Sequence, residues 1–123
     1  MVAIDARMGE VYWAEYIVKK DKLEQIGEEQ LSMPSLMFEK THSLTEQNEV
    51  MVIGSGWDEY LPEYKEQYDD SGLLNYLAKQ FPDAEQVSQL ALTAYKKGEI
   101  KPIEDAQPVY LRNNVAEKSN KRI

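Results

Sequence analysis

The stretch Val11 to Val18, VYWAEYIV, constrains the fold more than any other part of the chain. In an extended conformation successive side chains point to opposite faces. Here both faces are rich in apolar residues: Val11, Trp13 and Ile17 on one, Tyr12, Ala14, Tyr16 and Val18 on the other. A strand of that kind belongs inside a sheet whose two sides are covered by helices. Val50 to Ile53 is a second such segment, a continuous apolar run that ends in Gly54-Ser55-Gly56-Trp57.

The remaining elements arrange themselves around these two. Val2 to Ile4 reads as a brief apolar strand. The cluster Lys19-Lys20-Asp21-Lys22 marks a turn, and the more polar Leu23 to Leu31 reads as a third strand near a sheet edge. Together these three form an antiparallel meander. Pro34 suits a first helical turn, and Leu36, Met37 and Phe38 begin a short helix that fades by His42 and Ser43, with Thr45 to Glu49 as loop. Trp57, Tyr60, Leu61, Tyr64 and Tyr68 recur at helical spacing, and Pro62 is expected either to open a helix there or to break one.

Leu73 to Leu77 fits a fifth short strand after Ser71-Gly72. Asp83 and Gln86 have the spacing of a capping box ahead of Val87, Leu90, Ala91, Ala94 and Tyr95, and Gly98 stops that helix. Ile100 to Pro108 is an irregular connector, and Val109 to Leu111 a short extended segment. Three antiparallel strands followed by helix, strand, helix, strand, helix is an α/β order that resembles the single ribonuclease H-like lobe of the actin, Hsp70 and sugar-kinase superfamily.

The totals agree with one soluble domain. A chain of 123 residues can bury roughly two thirds of its unfolded surface. No apolar run approaches the roughly 20 residues of a membrane span, Met1 to Val18 lacks the apolar core of a signal peptide, and the chain has no cysteine. A cytoplasmic protein without disulfides or thiolate metal sites is expected. The net charge of -8 opposes direct binding of nucleic acid, which needs clustered Lys and Arg. Residues 113–123 form a basic tail with Lys118, Lys121 and Arg122 against Glu117, read as a solvated, flexible end to a domain that spans residues 1–112.

The chemistry-bearing candidates are few. His42 is the only histidine, so paired-His metal motifs are excluded, and a surface or capping role is expected for it. Asp58, Glu59, Glu63, Glu66, Asp69 and Asp70 match no calcium loop and read as a solvated acidic face. Gly54 and Gly56 follow a buried strand where α/β proteins often hold phosphate, yet the residues of a dinucleotide or Walker loop are absent. The hairpin Asp5-Ala6-Arg7-Met8-Gly9-Glu10 offers an acidic residue, a cation in Arg7 and conformational freedom at Gly9. Two readings stay open for Asp5, Arg7, Gly9, Gly54 and Gly56: tight structural turns, or a degenerate nucleotide-binding cleft for ADP or ATP.

The segments AIDARMGEVYWAEY, GSGW and PVYLRNNVA together resemble the carboxy-terminal half of the TsaB (YeaZ) family. The resemblance runs from Val2 to Ala116 and between Lys19 and Glu49 rests on element order. It implies a non-catalytic partner in tRNA threonylcarbamoyladenosine synthesis, supporting a TsaD-type catalytic subunit with a TsaE-type ATPase, and no cofactor of its own. The family's older label, M22 glycoprotease, finds no nucleophile and base pair here. A full-length member would carry a further lobe of about a hundred residues before Val2. Its absence would expose an interlobe face, with Tyr110 and Arg112 as packing candidates, on which the chain could form a homodimer.

Overall fold

The computed structural model describes residues 1–20, 22–68 and 72–112. β1 (Val2–Asp5), β2 (Val11–Lys19) and β3 (Lys22–Ser32) form the antiparallel meander. α1 (Pro34–Thr45), β4 (Val50–Ile53), α2 (Ser55–Gln67), β5 (Leu74–Leu77) and α3 (Ala84–Lys96) follow, with a single 3-10 turn at Ile103–Asp105. The sheet order is β3-β2-β1-β4-β5, and β4 pairs in parallel with both β1 and β5. This mixed five-stranded sheet is the ribonuclease H-like topology.

The core lies on one face of the sheet. Ala3, Val11, Val50 and Val52 point into it and meet Met37 and Phe38 of α1 and Trp57, Leu61 and Tyr64 of α2. Three aromatic rings lock the two helices together: Trp57 meets Tyr64 edge-on at 5.4 Å between centroids, and Phe38 meets Tyr64 edge-on at the same separation. Edge-on contacts of this kind add to the burial of large apolar area.

The structure corrects several sequence expectations. β2 is central, but only its Val11 and Trp13 side meets the helix-covered core, and of the opposite side Ala14 alone is buried. On the other face of the sheet Ile4, Val18 and Met51 are exposed, so the strand is not covered twice. Pro62 neither opens nor breaks α2, which runs through it from Ser55 to Gln67. Its ring faces solvent, and packing of Trp57, Leu61 and Tyr64 on either side of it offsets the roughly 3 kcal/mol that an interior proline costs. α1 continues past His42 and Ser43, where it was expected to fade, and ends at Thr45, the first residue of the segment read as loop. Val109 to Leu111 joins no strand.

α3 forms where expected, and the Asp83 carboxylate accepts a hydrogen bond from the Gln86 N–H at 3.0 Å. None of its residues is buried, however. No helix among the described residues is long and apolar enough to cross a membrane. The basic tail, Asp69 and Asp70 lie outside the described residues, as does Asp21 of the expected turn.

Candidate functional site

Parallel pairing brings the carboxyl ends of β1 and β4 side by side, the position at which open α/β sheets bind ligands. Asp5 ends β1, and Gly54 links β4 to the first turn of α2. The Asp5 N–H donates to Ser55 Oγ at 3.1 Å, which ties the hairpin to the helix start. Asp5, Ser55, Gly54 and Gly56 are therefore neighbours, as the two-turn reading requires.

Each of these groups already has a structural task. Asp5 Oδ1 accepts the Arg7 N–H at 2.9 Å, and the Arg7 guanidinium lies 3.7 Å from Asp5 Oδ2 in an exposed pair. Gly54 sits at φ +106°, and a Cβ there would stand 2.1 Å from the Ala3 carbonyl oxygen. At Gly56 a Cβ would stand 3.0 Å from the Ala3 Cβ. Both glycines are thus accounted for by the close approach of α2 to β1. Nearby Tyr60 has its phenol pKa raised, first by burial and then by the negative charges of Asp5, Glu59 and Glu63. That acidic surrounding repels phosphate.

The hairpin turn is tighter than one glycine would suggest. Arg7, Met8 and Gly9 all adopt left-handed backbone, at φ 63°, 57° and 73°. Ala6 N–H to Glu10 O (2.9 Å) and Glu10 N–H to Arg7 O (3.1 Å) close the loop. Two non-glycine residues in that region cost about 1–2 kcal/mol each. Arg112 offsets part of this by clamping the turn from the far end of the chain. Its guanidinium donates to Glu10 Oε2 at 2.6 Å, to the Arg7 carbonyl at 3.4 Å and to Met8 Sδ at 3.2 Å. Arg112 is thus packed on the hairpin, whereas Tyr110 stands exposed.

A second network escaped the sequence reading. Asp58 Oδ1 accepts from the Tyr76 hydroxyl at 2.5 Å and from the Lys79 N–H at 3.0 Å, joining the start of α2 to the end of β5. Nothing in the local sequence pairs residues so far apart. The Tyr76 bond, then the Lys79 N–H, hold the Asp58 pKa below its usual value, and Asp58 in turn raises that of Tyr76. A depressed carboxylate adds stability that is complete above its unfolded pKa, about 3.9, and is lost as pH falls through the folded value. The raised phenol adds stability present below about pH 10 and lost as pH rises through its folded pKa. Replacing Asp58 with Asn is expected to flatten both slopes in thermal melts across pH, and parallel wild-type and variant profiles would refute the role of this network.

His42 belongs to neither network. Its ring stacks on Tyr68 at 4.4 Å, half-buried in the last turn of α1, rather than standing on the surface. No three His, Asp or Glu side chains gather as a metal site among the described residues. A cavity of about 460 Å³ lies away from these turns, lined in part by Met1, Leu23, Leu44 and Met51.

Comparison with known proteins decides the relationship. The chain is 39% identical over 119 residues to the tRNA threonylcarbamoyladenosine biosynthesis protein TsaB of Escherichia coli strain K12, across 94% of this chain and 48% of that protein. By sequence and by fold, the chain is similar to one half of TsaB (YeaZ) proteins. YeaZ from Pseudomonas aeruginosa superposes with a TM-score of 0.62 at 27% identity, over 89% of this chain and 48% of that one. A crystal structure described as an uncharacterized protein with similarity to peptidase YEAZ from Pseudomonas aeruginosa gives 0.65 at 30% identity, over 90% and 48%. No family model matches the chain. The chain thus spans about half the length of these TsaB and YeaZ relatives.

Proposed function

We propose that the chain is the carboxy-terminal lobe of a TsaB-like scaffold, a non-catalytic partner in tRNA threonylcarbamoyladenosine biosynthesis in the cytoplasm. The observation that carries this reading is the 39% identity to TsaB along nearly the whole chain. A TsaD-type catalytic subunit and a TsaE-type ATPase are its proposed co-workers, and the other half of the family's length supplies the main docking surface. The lobe itself neither turns over substrate nor binds tRNA directly.

The fitting experiment is nucleoside analysis of tRNA from cells depleted of their own TsaB. This chain fused behind the amino-terminal half of a TsaB should restore threonylcarbamoyladenosine, while the chain alone should not. Failure of the fusion, or peptidase activity from the purified chain, would overturn the reading. The alternative, a degenerate nucleotide lobe at Asp5 to Gly9 and Gly54 to Gly56, rests on the side-by-side ends of β1 and β4. Gly54 and Gly56 already lie against Ala3, and the surroundings are acidic. Calorimetric titration of ADP into the chain in the same study is expected to give no binding heat.

A further inference from the structure

Of the contacts by which Arg112 holds the turn between β1 and β2, one is chemically weaker than the donor warrants. Nη2 donates to oxygen, at Glu10 Oε2 and at the Arg7 carbonyl, whereas Nη1 donates to the Met8 thioether at 3.2 Å. A thioether is a weak acceptor, and an ionised guanidinium makes its strongest bonds to oxygen. The shortfall is larger at Nε, which is buried and has no partner among the described residues. With its side chain only 14% exposed, Arg112 has little access to water to make up the difference.

Met8 is the reverse case. At 82% exposure it is the most accessible of the five methionines, ahead of Met33 at 65% and Met51 at 55%, while Met1 and Met37 are buried. Thioethers are oxidised to sulfoxides according to their exposure, so Met8 is the methionine that a peroxide in solution meets first. Its position at the tip of a closed turn keeps the sulfur beside the guanidinium.

We propose that Met8 is a site of reversible oxidation by peroxide, and that its sulfoxide binds Arg112 more strongly than the thioether does, tightening the clamp on the turn. Methionine and hydrogen peroxide give the sulfoxide and water. A sulfur lone pair attacks one peroxide oxygen and the O–O bond breaks. The second oxygen leaves as hydroxide and takes the proton of the transferred oxygen to become water. Sulfur loses two electrons and the peroxide gains them. The new oxygen is a polar acceptor, and the exposed side chain has room to set it against Nη1 or the unpartnered Nε. Methionine sulfoxide reductases reverse the change. Oxidation of a core methionine loosens packing, so a gain in stability at Met8 has the opposite sign to the common lesion. The inference is independent of the role in tRNA modification.

The double variant Met33→Leu with Met51→Leu tests it, because Met8 is then the one exposed methionine. After treatment with dilute hydrogen peroxide, peptide mass spectrometry should find one added oxygen on Met8 and none on Met1 or Met37. The oxidised protein should melt about 2–5 °C above the untreated one, the shift expected when a charged donor exchanges a weak acceptor for a strong one. The Ala6 and Glu10 amides, which close the turn, should exchange hydrogen at least about threefold more slowly. Met8→Gln, which carries a side-chain carbonyl oxygen, should raise the melting temperature without peroxide. Arg112→Ala should abolish both gains. Met8→Leu, a change at an exposed position that leaves the fold intact, should abolish the response to peroxide.

Peroxide that spares Met8, or a sulfoxide there that leaves the melting temperature unchanged or lowers it, would overturn the proposal. So would a shift that persists in Arg112→Ala or in Met8→Leu.

Discussion

Gly54→Ala is expected to unfold the protein or bring it close to unfolding at room temperature. The new methyl group would stand 2.1 Å from the Ala3 carbonyl oxygen, and the residue would keep a φ of +106°, which L side chains rarely adopt. Neither partner can yield cheaply, because Ala3 is fully buried backbone in a central strand. Backbone strain of about 1–3 kcal/mol and overpacking of about 1–3 kcal/mol add to roughly 4 kcal/mol, most of the stability of a domain at the low end of the usual range of about 5–15 kcal/mol. Urea denaturation of the purified variant measures it. A midpoint close to wild type would mean that α2 does not approach β1 as described, and would reopen the glycine loop as a ligand site.

The second large effect is expected in the core. Trp57→Ala should cost about 3–5 kcal/mol, the range for deleting a large buried aromatic ring. Trp57 is fully buried and touches both Phe38 and Tyr64, so its loss leaves a cavity that fixed neighbours cannot close. Trp57→Phe should cost less, since it keeps a ring in place and removes an indole N–H that has no hydrogen-bond partner among the described residues. Chemical denaturation of both variants gives the comparison. A Trp57→Ala cost below that of Trp57→Phe would show that the aromatic cluster is not the keystone between α1 and α2.

Much of this fold could be read from the chain alone because its strands and helices carry their signals locally. The apolar residues on both faces of β2, the run of β4, Pro34 at the start of α1 and the Asp83 cap of α3 are each written within a few residues. The order of these elements then implied the sheet. What local patterns could not convey was which faces would be covered. Val11 to Val18 looks doubly buried from its composition, but coverage of its second face depends on where a helix elsewhere in the chain comes to rest. Pro62 was misjudged for a related reason: propensity speaks for a helix in isolation, and tertiary packing of Trp57, Leu61 and Tyr64 overrode it.

The candidate site divides in the same way. Asp5, Gly54 and Gly56 were noticed because turn residues after apolar strands are visible in sequence, and the structure does bring them together. Their employment was not visible, since it depends on the Ala3 backbone and on Ser55. Arg112 was noticed only through the family resemblance, and its partners Arg7, Met8 and Glu10 lie about a hundred residues earlier. Asp58, Tyr76 and Lys79 were missed because nothing in their local context distinguishes a bonded acid from a solvated one.

The outer strand has a consequence for solubility. β3 spans eleven residues at the margin of the sheet and would offer a long row of free peptide groups to any other chain. Its register against β2 slips between Trp13 and Glu15, where β3 carries Gly27-Glu28-Glu29, and such a bulge bends and twists the strand. Lys22 and Glu24 on one side of the bulge and two adjacent glutamates within it place charge along the margin. A sheet that leaves one greasy side open therefore has a margin poorly shaped for growth into amyloid-like stacks, and the irregular pairing of β2 with β3 is a safeguard against aggregation.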